Sequence, residues 1–251
     1  TCSGDLPERL VRAFEALGAE VIETPSASGT PCLGAGVTHV AIAGGDGTIR
    51  HVAQMLSRTG ADLPVAVYPA GTVNLIAREG SPVRSPDIFA SRLLGLGTAR
   101  HHYLALLNDE MFLACASIGP DSLAVDAVSP ALKRRIGRAA YVAAFLKILW
   151  SWPRPRLSVE ADGALHACEA IYVARGRYFA GPWSFAPAAR GSDGLLHVLA
   201  LKRARRRDFA VLAFDMLAGR DPARRGNSIA FTCKRLKISG DRPFPVEADG
   251  G

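Results

Sequence analysis

Along the N-terminal part of the chain, apolar positions switch between helical and extended spacing. Leu6, Leu10, Val11, Phe14 and Leu17 recur three or four apart and stop at Gly18, which predicts a helix; Val21-Ile22 then opens a short strand. Residues 37–44 are a β-branched apolar run, followed by a helix from Thr48 to Thr59 with Ile49, Val52, Ala53 and Leu56 on one face. Pro64-Val65-Ala66-Val67-Tyr68 reads as the next strand and Leu75-Ile76-Ala77-Arg78 as the next helix. Ser85-Pro86 supplies the cap and first position of another helix running towards Gly95. Such alternation implies a mostly parallel sheet covered on both sides, with ligands at the carboxyl ends of its strands. Because the chain starts almost directly in a helix, a preceding first strand is expected to be missing here.

Near residue 98 the pattern changes. His102 to Leu107 and Met111 to Ser117 flank Asn108-Asp109, a two-residue hairpin signal. A helix containing Tyr141 to Leu149 follows, then short alternating runs at Leu157 to Ala161, Leu165 to Val173, Leu195 to Leu201, Ile229 to Cys233 and Leu236 to Ser239. Asp162-Gly163 and Asp193-Gly194 are turn dipeptides. The pattern divides the chain into an α/β domain over 1–97 and a mainly antiparallel β domain with helices over 98–251.

Candidate chemistry sits where the first strands end. VTHVAIAGGDGTI at 37–49 runs from strand through Gly44-Gly45-Asp46-Gly47-Thr48 into a helix. A glycine-rich turn before a helix N-terminus leaves backbone N–H groups pointing outward, and the helix dipole there favours an anion. Pro69-Ala70-Gly71-Thr72-Val73-Asn74 repeats this character after the next strand. Two such loops on neighbouring strands describe a polyphosphate better than one phosphate, although a single glycine turn is more often only a turn. Neither loop has the G-x-G-x-x-G or G-x-x-x-x-G-K-[ST] spacing, and no loop lysine reaches for a γ-phosphate. Asp46 is the one charged group in the first turn. It suits a carboxylate that orients magnesium or accepts a proton, and it equally suits a helix cap.

The 251 residues, 49% hydrophobic, can bury a substantial core. A formal charge of +7 suggests an anionic partner: nucleotide, nucleic acid or membrane lipid. The scattered Cys2, Cys32, Cys115, Cys168 and Cys233 form no C-x-x-C pair, which argues against a disulfide framework or a zinc site and for a reducing cytosol. No apolar stretch is long enough to span a bilayer. Ala139 to Trp152 reads as a buried amphipathic helix, or as a surface that dips into lipid with Trp150 and Trp152 at the interface. Aromatic residues are only 7% of the chain and no nucleic-acid module accompanies the charge, so a nucleic-acid partner is not expected.

Several motifs together resemble the diacylglycerol kinase catalytic-domain family, which includes bacterial diacylglycerol kinases and sphingosine kinases. They are GGDGT at 44–48, P-x-G-T-x-N-x-x-A-R at 69–78 and F-x-x-x-A-S-x-G-x-D at 112–121. Gly137, Tyr141, GRYFAG at 176–181, the run from Pro187 to Leu196 and Ala248-Asp249-Gly250 continue the match. The resemblance implies an α/β nucleotide domain of the NAD-kinase/phosphofructokinase type, a C-terminal β-sandwich, and ATP with Mg2+ in a cleft between them. It implies γ-phosphoryl transfer to the hydroxyl of diacylglycerol or a similar lipid by a cytoplasmic, peripherally membrane-associated enzyme; a homodimer is left open. Carried over by position, Gly44, Gly45, Asp46, Gly47, Thr48, Ile49, Arg50, Gly71 and Thr72 hold the nucleotide phosphates. Asn74 orders the second loop and Thr24 touches the nucleotide; Asp46, from its place in the first turn and not from the resemblance, is the candidate catalytic residue. Asp193 and the Leu195 carbonyl match a structural metal site.

The chain also departs from the family pattern. Leu75, His102 or Tyr103, and Arg190 stand where acids are common, and Asp249-Gly250-Gly251 stands where a D-G-E motif supplies a general base. A base beyond Gly251, another acid such as Asp46, or impaired catalysis would each account for that difference. GGDGT alone also fits an NAD-kinase-like enzyme with a soluble substrate, and the missing acids fit a nucleotide- or lipid-binding protein without turnover. Lys133-Arg134-Arg135, Lys202-Arg203 with Arg205-Arg206-Arg207, and Arg220 with Arg224-Arg225 suit an anionic membrane surface.

Overall fold

The computed structural model describes residues 5–24, 33–34, 36–95, 99–127, 147–150 and 152–249, and the chain divides into two compact units between His101 and His102. In the first unit, α1 (Leu6–Glu15) precedes two parallel strands, β1 (Val40–Gly44) and β2 (Val65–Pro69), with α2 (Asp46–Thr59) between them. Helices α3 (Leu75–Glu79) and α4 (Pro86–Leu94) follow. The Ser85 side chain caps α4, accepting from the Ile88 N–H. Leu10, Ala13 and Phe14 of α1 pack with Tyr68, Phe89 and Ala90, and Phe89 meets the rings of Phe14 and Tyr68 edge-on.

One expected strand does not form. Residues 21–24 carry no strand pairing. Val21 packs against the α1–α4 cluster, while Ile22 is exposed and has no face to bury, so the apolar pair serves side-chain packing instead of a ladder.

The second unit is antiparallel. A hairpin of β3 (Ala105–Leu107) and β4 (Glu110–Phe112) turns at Asn108-Asp109, with Asn108 at a positive φ. After it come β5 (Cys115–Ile118), α5 (Pro120–Ala127), β6 (Leu157–Ala161), β7 (Ala164–Cys168), β8 (Ala170–Ala174), β9 (Leu196–Leu201) and α6 (Arg206–Leu217). A short 3-10 turn at Pro222–Arg224, β10 (Ser228–Cys233), β11 (Leu236–Gly240) and β12 (Glu247–Ala248) complete it. One sheet has the order β10-β9-β8-β5-β12 and another β11-β6-β7. Leu157, Val159, Ala161 and Cys168 from the smaller sheet share a core with Ala116, Ile171, Val173, Val198 and Ala200 from the larger. β6 alternates buried and exposed residues strictly, as a strand with one face on a core must.

The run expected as one strand from Leu165 to Val173 is two strands in different sheets. Glu169 marks the change: its carboxylate takes a bidentate contact from Arg154 at 2.8 Å and accepts the Ala204 N–H, so the ladder breaks there. Residues 141–146 of the expected helix and the Lys133-Arg134-Arg135 cluster lie outside the described residues; 147–150 are helical. Trp152 does not sit at an interface. It is buried against Phe209 and Phe244, whereas Trp150 faces solvent.

Candidate functional site

The two glycine loops of the first unit meet backbone to backbone. β1 and β2 run in parallel with Gly44 opposite Pro69, so their loops leave the sheet side by side. A Cβ on Gly45 would stand 3.1 Å from the Gly71 Cα, and a Cβ on Gly71 would overlap the Gly45 backbone. Only glycine permits this approach at both positions. Gly44 abuts the Thr48 side chain, whereas a Cβ at Gly47 would meet nothing within 4 Å.

Side chains fix the loops in that position. Asn74, in a left-handed conformation, brackets Gly71, accepting its N–H at 2.8 Å and donating to its carbonyl at 2.7 Å. Arg78 donates to the Val73 carbonyl at 3.0 Å. Helix α2 opens two residues earlier than Thr48, at Asp46, with Gly45 as a cap that offers no side chain. Thr48 and Ile49 bond back to the Gly45 carbonyl. Among the described residues the Asp46 and Gly47 amides of that first turn meet no acceptor, which suits an anion.

Asp46 is a cap, but of the other helix. Its Oδ1 accepts the Ile76 N–H at 3.2 Å, thirty positions along the chain, and so ties the first loop to the start of α3. This leaves Oδ2 for a ligand. Ile49 is buried in the α2 core face, Arg50 and Thr48 are half-buried, Thr72 is exposed, and Thr24 is exposed beyond α1 with no strand to carry it.

The second unit brings together two further stretches singled out in the sequence. β12 pairs with β5, which places the 112–121 segment beside 247–249. The Asp249 carboxylate accepts the N–H groups of Leu113, Ala114 and Cys115 at 2.7, 2.8 and 3.1 Å. Beside it, the buried Ser117 hydroxyl is 2.5 Å from Asp121 Oδ2 and 3.2 Å from Glu247 Oε2, and Tyr172 donates to Asp121 Oδ1 at 3.3 Å. A hydroxyl has one hydrogen and so cannot serve both carboxylates at once. Burial raises the pKa of Asp121, against the opposing pull of its Ser117 bond.

These two units answer in order to two family descriptions. Residues 24–101 match the diacylglycerol kinase catalytic domain, and 114–251 match the YegS C-terminal NAD kinase beta sandwich-like domain. The chain belongs to the diacylglycerol kinase family of lipid kinases. A Pseudomonas aeruginosa protein named probable lipid kinase YegS-like is 33% identical over 174 residues, covering 66% of this chain and 55% of that relative, so the match spans little more than half the relative's length. Bacillus subtilis diacylglycerol kinase is 26% identical over 96% of this chain and 82% of its own. The crystal structure of a diacylglycerol kinase from Bacillus anthracis str. Sterne shares the fold, with a TM-score of 0.67 at 20% identity over 86% of this chain and 71% of that one.

The family metal position differs here. Asp193 Oδ1 accepts the Leu195 N–H at 2.9 Å and Oδ2 lies 2.7 Å from His197 Nε2. The Leu195 carbonyl accepts from Arg175 Nη1 at 2.5 Å. That guanidinium, 1% exposed, also donates to the Tyr103 carbonyl at 3.0 Å and the Gly191 carbonyl at 3.2 Å. Burial works against the Asp193 carboxylate, but the Leu195 N–H, His197 and Arg175 outweigh it and hold its pKa below the ordinary value. A divalent ion at the Leu195 carbonyl would meet a fixed positive charge, so these residues as they stand do not fit one. Arg175 is a position that motif reading missed. Its signal was a cation directly after the wholly apolar run 170–174, where a buried strand ends. Stripping divalent ions with EDTA is therefore expected to leave the melting temperature of the nucleotide-free protein unchanged. Arg175→Met, by stranding the Tyr103 and Leu195 carbonyls while Gly191 keeps the Tyr103 N–H, is expected to cost about 3 kcal/mol, a fall on the order of 10 °C. Differential scanning calorimetry checks both.

Proposed function

We propose that the chain carries the phosphate-binding and lipid-handling parts of an ATP-dependent kinase that transfers the γ-phosphoryl group to the hydroxyl of diacylglycerol or a similar lipid. The observation that carries this reading is the backbone contact of Gly45 with Gly71, which sets two amide-lined loops side by side. Phosphoryl transfer asks mainly for in-line positioning and charge stabilisation, which backbone amides supply without a loop lysine. The Asp46 and Gly47 amides, the half-buried Thr48 and Arg50 side chains and the exposed Thr72 would hold the polyphosphate, while Ile49 packs in the core and Asn74 keeps Gly71 in place.

A single free carboxylate oxygen suits magnesium that arrives on phosphates, because that ion takes few protein ligands and keeps the rest as water and phosphate oxygens. Asp46 Oδ2 would hold it, and the ion would offset phosphate charge. Asp46 Oδ1 meanwhile stays on the Ile76 N–H, which prevents the carboxylate from rotating away.

The test is to incubate the full-length protein with γ-labelled ATP, magnesium, diacylglycerol micelles and, separately, NAD. Labelled phosphatidic acid supports the proposal. Labelled NADP would move the protein to the soluble-substrate branch, and tight ATP binding with no labelled product would make it a binding protein; either overturns the proposal.

A further inference from the structure

Helix α6 is apolar on two sides. Phe209 and Leu212 turn into the second unit, with Trp152 edge-on to Phe209. On the opposite side Val211, Phe214 and Leu217 are 41%, 53% and 64% exposed, and the exposed Ala210 and Ala218 fill the spaces between them. Positions 207, 210, 211, 214, 217 and 218 fall on one helical stripe. Single exposed apolar residues are ordinary, but a continuous stripe along a helix is a contact surface. At the N-terminal end of the helix, Trp150 is 73% exposed.

The charges around this stripe have one sign. Arg206 lies over the Trp150 ring at 3.9 Å and Arg220 over the Phe214 ring at 5.2 Å. Arg203, Arg207 and Arg224 are exposed at its two ends. The acids of the same segment are turned to internal work. Asp208 accepts the Arg205 N–H, Asp215 is buried and pairs with Arg225 at 2.5 Å, and Asp221 caps the turn at Ala223. A second copy of the chain docking through this face about a twofold axis would set arginine against arginine. An anionic bilayer complements both features: apolar side chains and tryptophan enter the interfacial layer while arginines meet lipid phosphates. Among the described residues no helix is long and apolar enough to cross a membrane, so contact through this helix is parallel to the surface.

We infer that the outer face of α6, with Trp150 and the flanking arginines, docks the protein on anionic phospholipid bilayers. This deepens the lipid-kinase reading, since a long-chain diacylglycerol resides in such a bilayer, but it is measured without nucleotide. The full-length protein is sedimented with vesicles of phosphatidylglycerol and phosphatidylcholine in equal parts, and with phosphatidylcholine alone, while tryptophan emission is followed. Binding to the anionic vesicles with a blue shift is expected, and it should weaken as salt rises. Phe214→Asn with Leu217→Asn is expected to weaken it at least about tenfold, and Arg207→Gln or Arg220→Gln about fivefold each. These positions are exposed, so melting temperatures should match the parent, which separates docking from misfolding. Equal binding by parent and variants would overturn the inference, as would no preference for anionic vesicles. A solution dimer that the Phe214/Leu217 variant dissolves would assign the face to a second copy instead. Lost phosphoryl transfer with vesicle binding intact would count against the kinase reading alone.

Discussion

Gly71→Ala is expected to lower ATP affinity by about 100-fold, because a strain of roughly 1–3 kcal/mol falls on the binding loops themselves. The new methyl would overlap the Gly45 backbone and crowd Asn74 Oδ1 at 2.8 Å. Backbone on one side and a doubly bonded amide on the other leave nothing flexible to yield, so the loops must separate. Isothermal titration with ATP and magnesium measures the loss. Gly47→Ala is the informative control, since its methyl meets nothing within 4 Å. It should leave the free protein as stable as the parent apart from helix propensity, and any drop in affinity then reports a phosphate close to Gly47. Unchanged ATP affinity in Gly71→Ala would remove the paired loops from the nucleotide site.

Asp46→Asn is expected to reduce phosphoryl transfer by a factor on the order of 1000 while the protein stays folded. Asparagine keeps an oxygen to accept the Ile76 N–H, so the tie between the loops survives and only the negative charge is lost. Asp46→Ala removes both. It should match the transfer defect and add a loss of about 1 kcal/mol of stability, the usual worth of a helix cap. Single-turnover assays give the first quantity and denaturant titration the second. Transfer that survives in Asp46→Asn would leave this carboxylate a cap and nothing more.

The two glycine loops, as turns between strand and helix that meet each other, were legible from residues alone because their chemistry is local. A glycine between an apolar run and a helical run has few structural explanations, and GGDGT with P-x-G-T-x-N is specific. The same reading placed α4 by its serine cap and proline, and the turns at Asn108-Asp109 and Asp162-Gly163 by their ease in positive φ. It failed where an apolar pattern had to choose a partner. Val21-Ile22 has strand composition but no ladder, and the run through Glu169 divides between two sheets because one carboxylate needs Arg154 and the Ala204 amide. Trp152 and Trp150, two positions apart, went to opposite environments for the same reason.

The sequence by itself determined the two glycine turns, the alternation of helix and strand around them and the family, since each rests on neighbouring residues and on spacing. Tertiary structure alone decided which distant groups share a site. Asp46 caps a helix thirty positions on, Asp249 binds amides at 113–115, Glu247 meets Ser117, and Arg175 takes the Leu195 carbonyl offered to a metal. The physical reason is that a buried charge or polar group must find a partner wherever the fold brings one near, and closeness in space across long loops leaves no mark in local spacing.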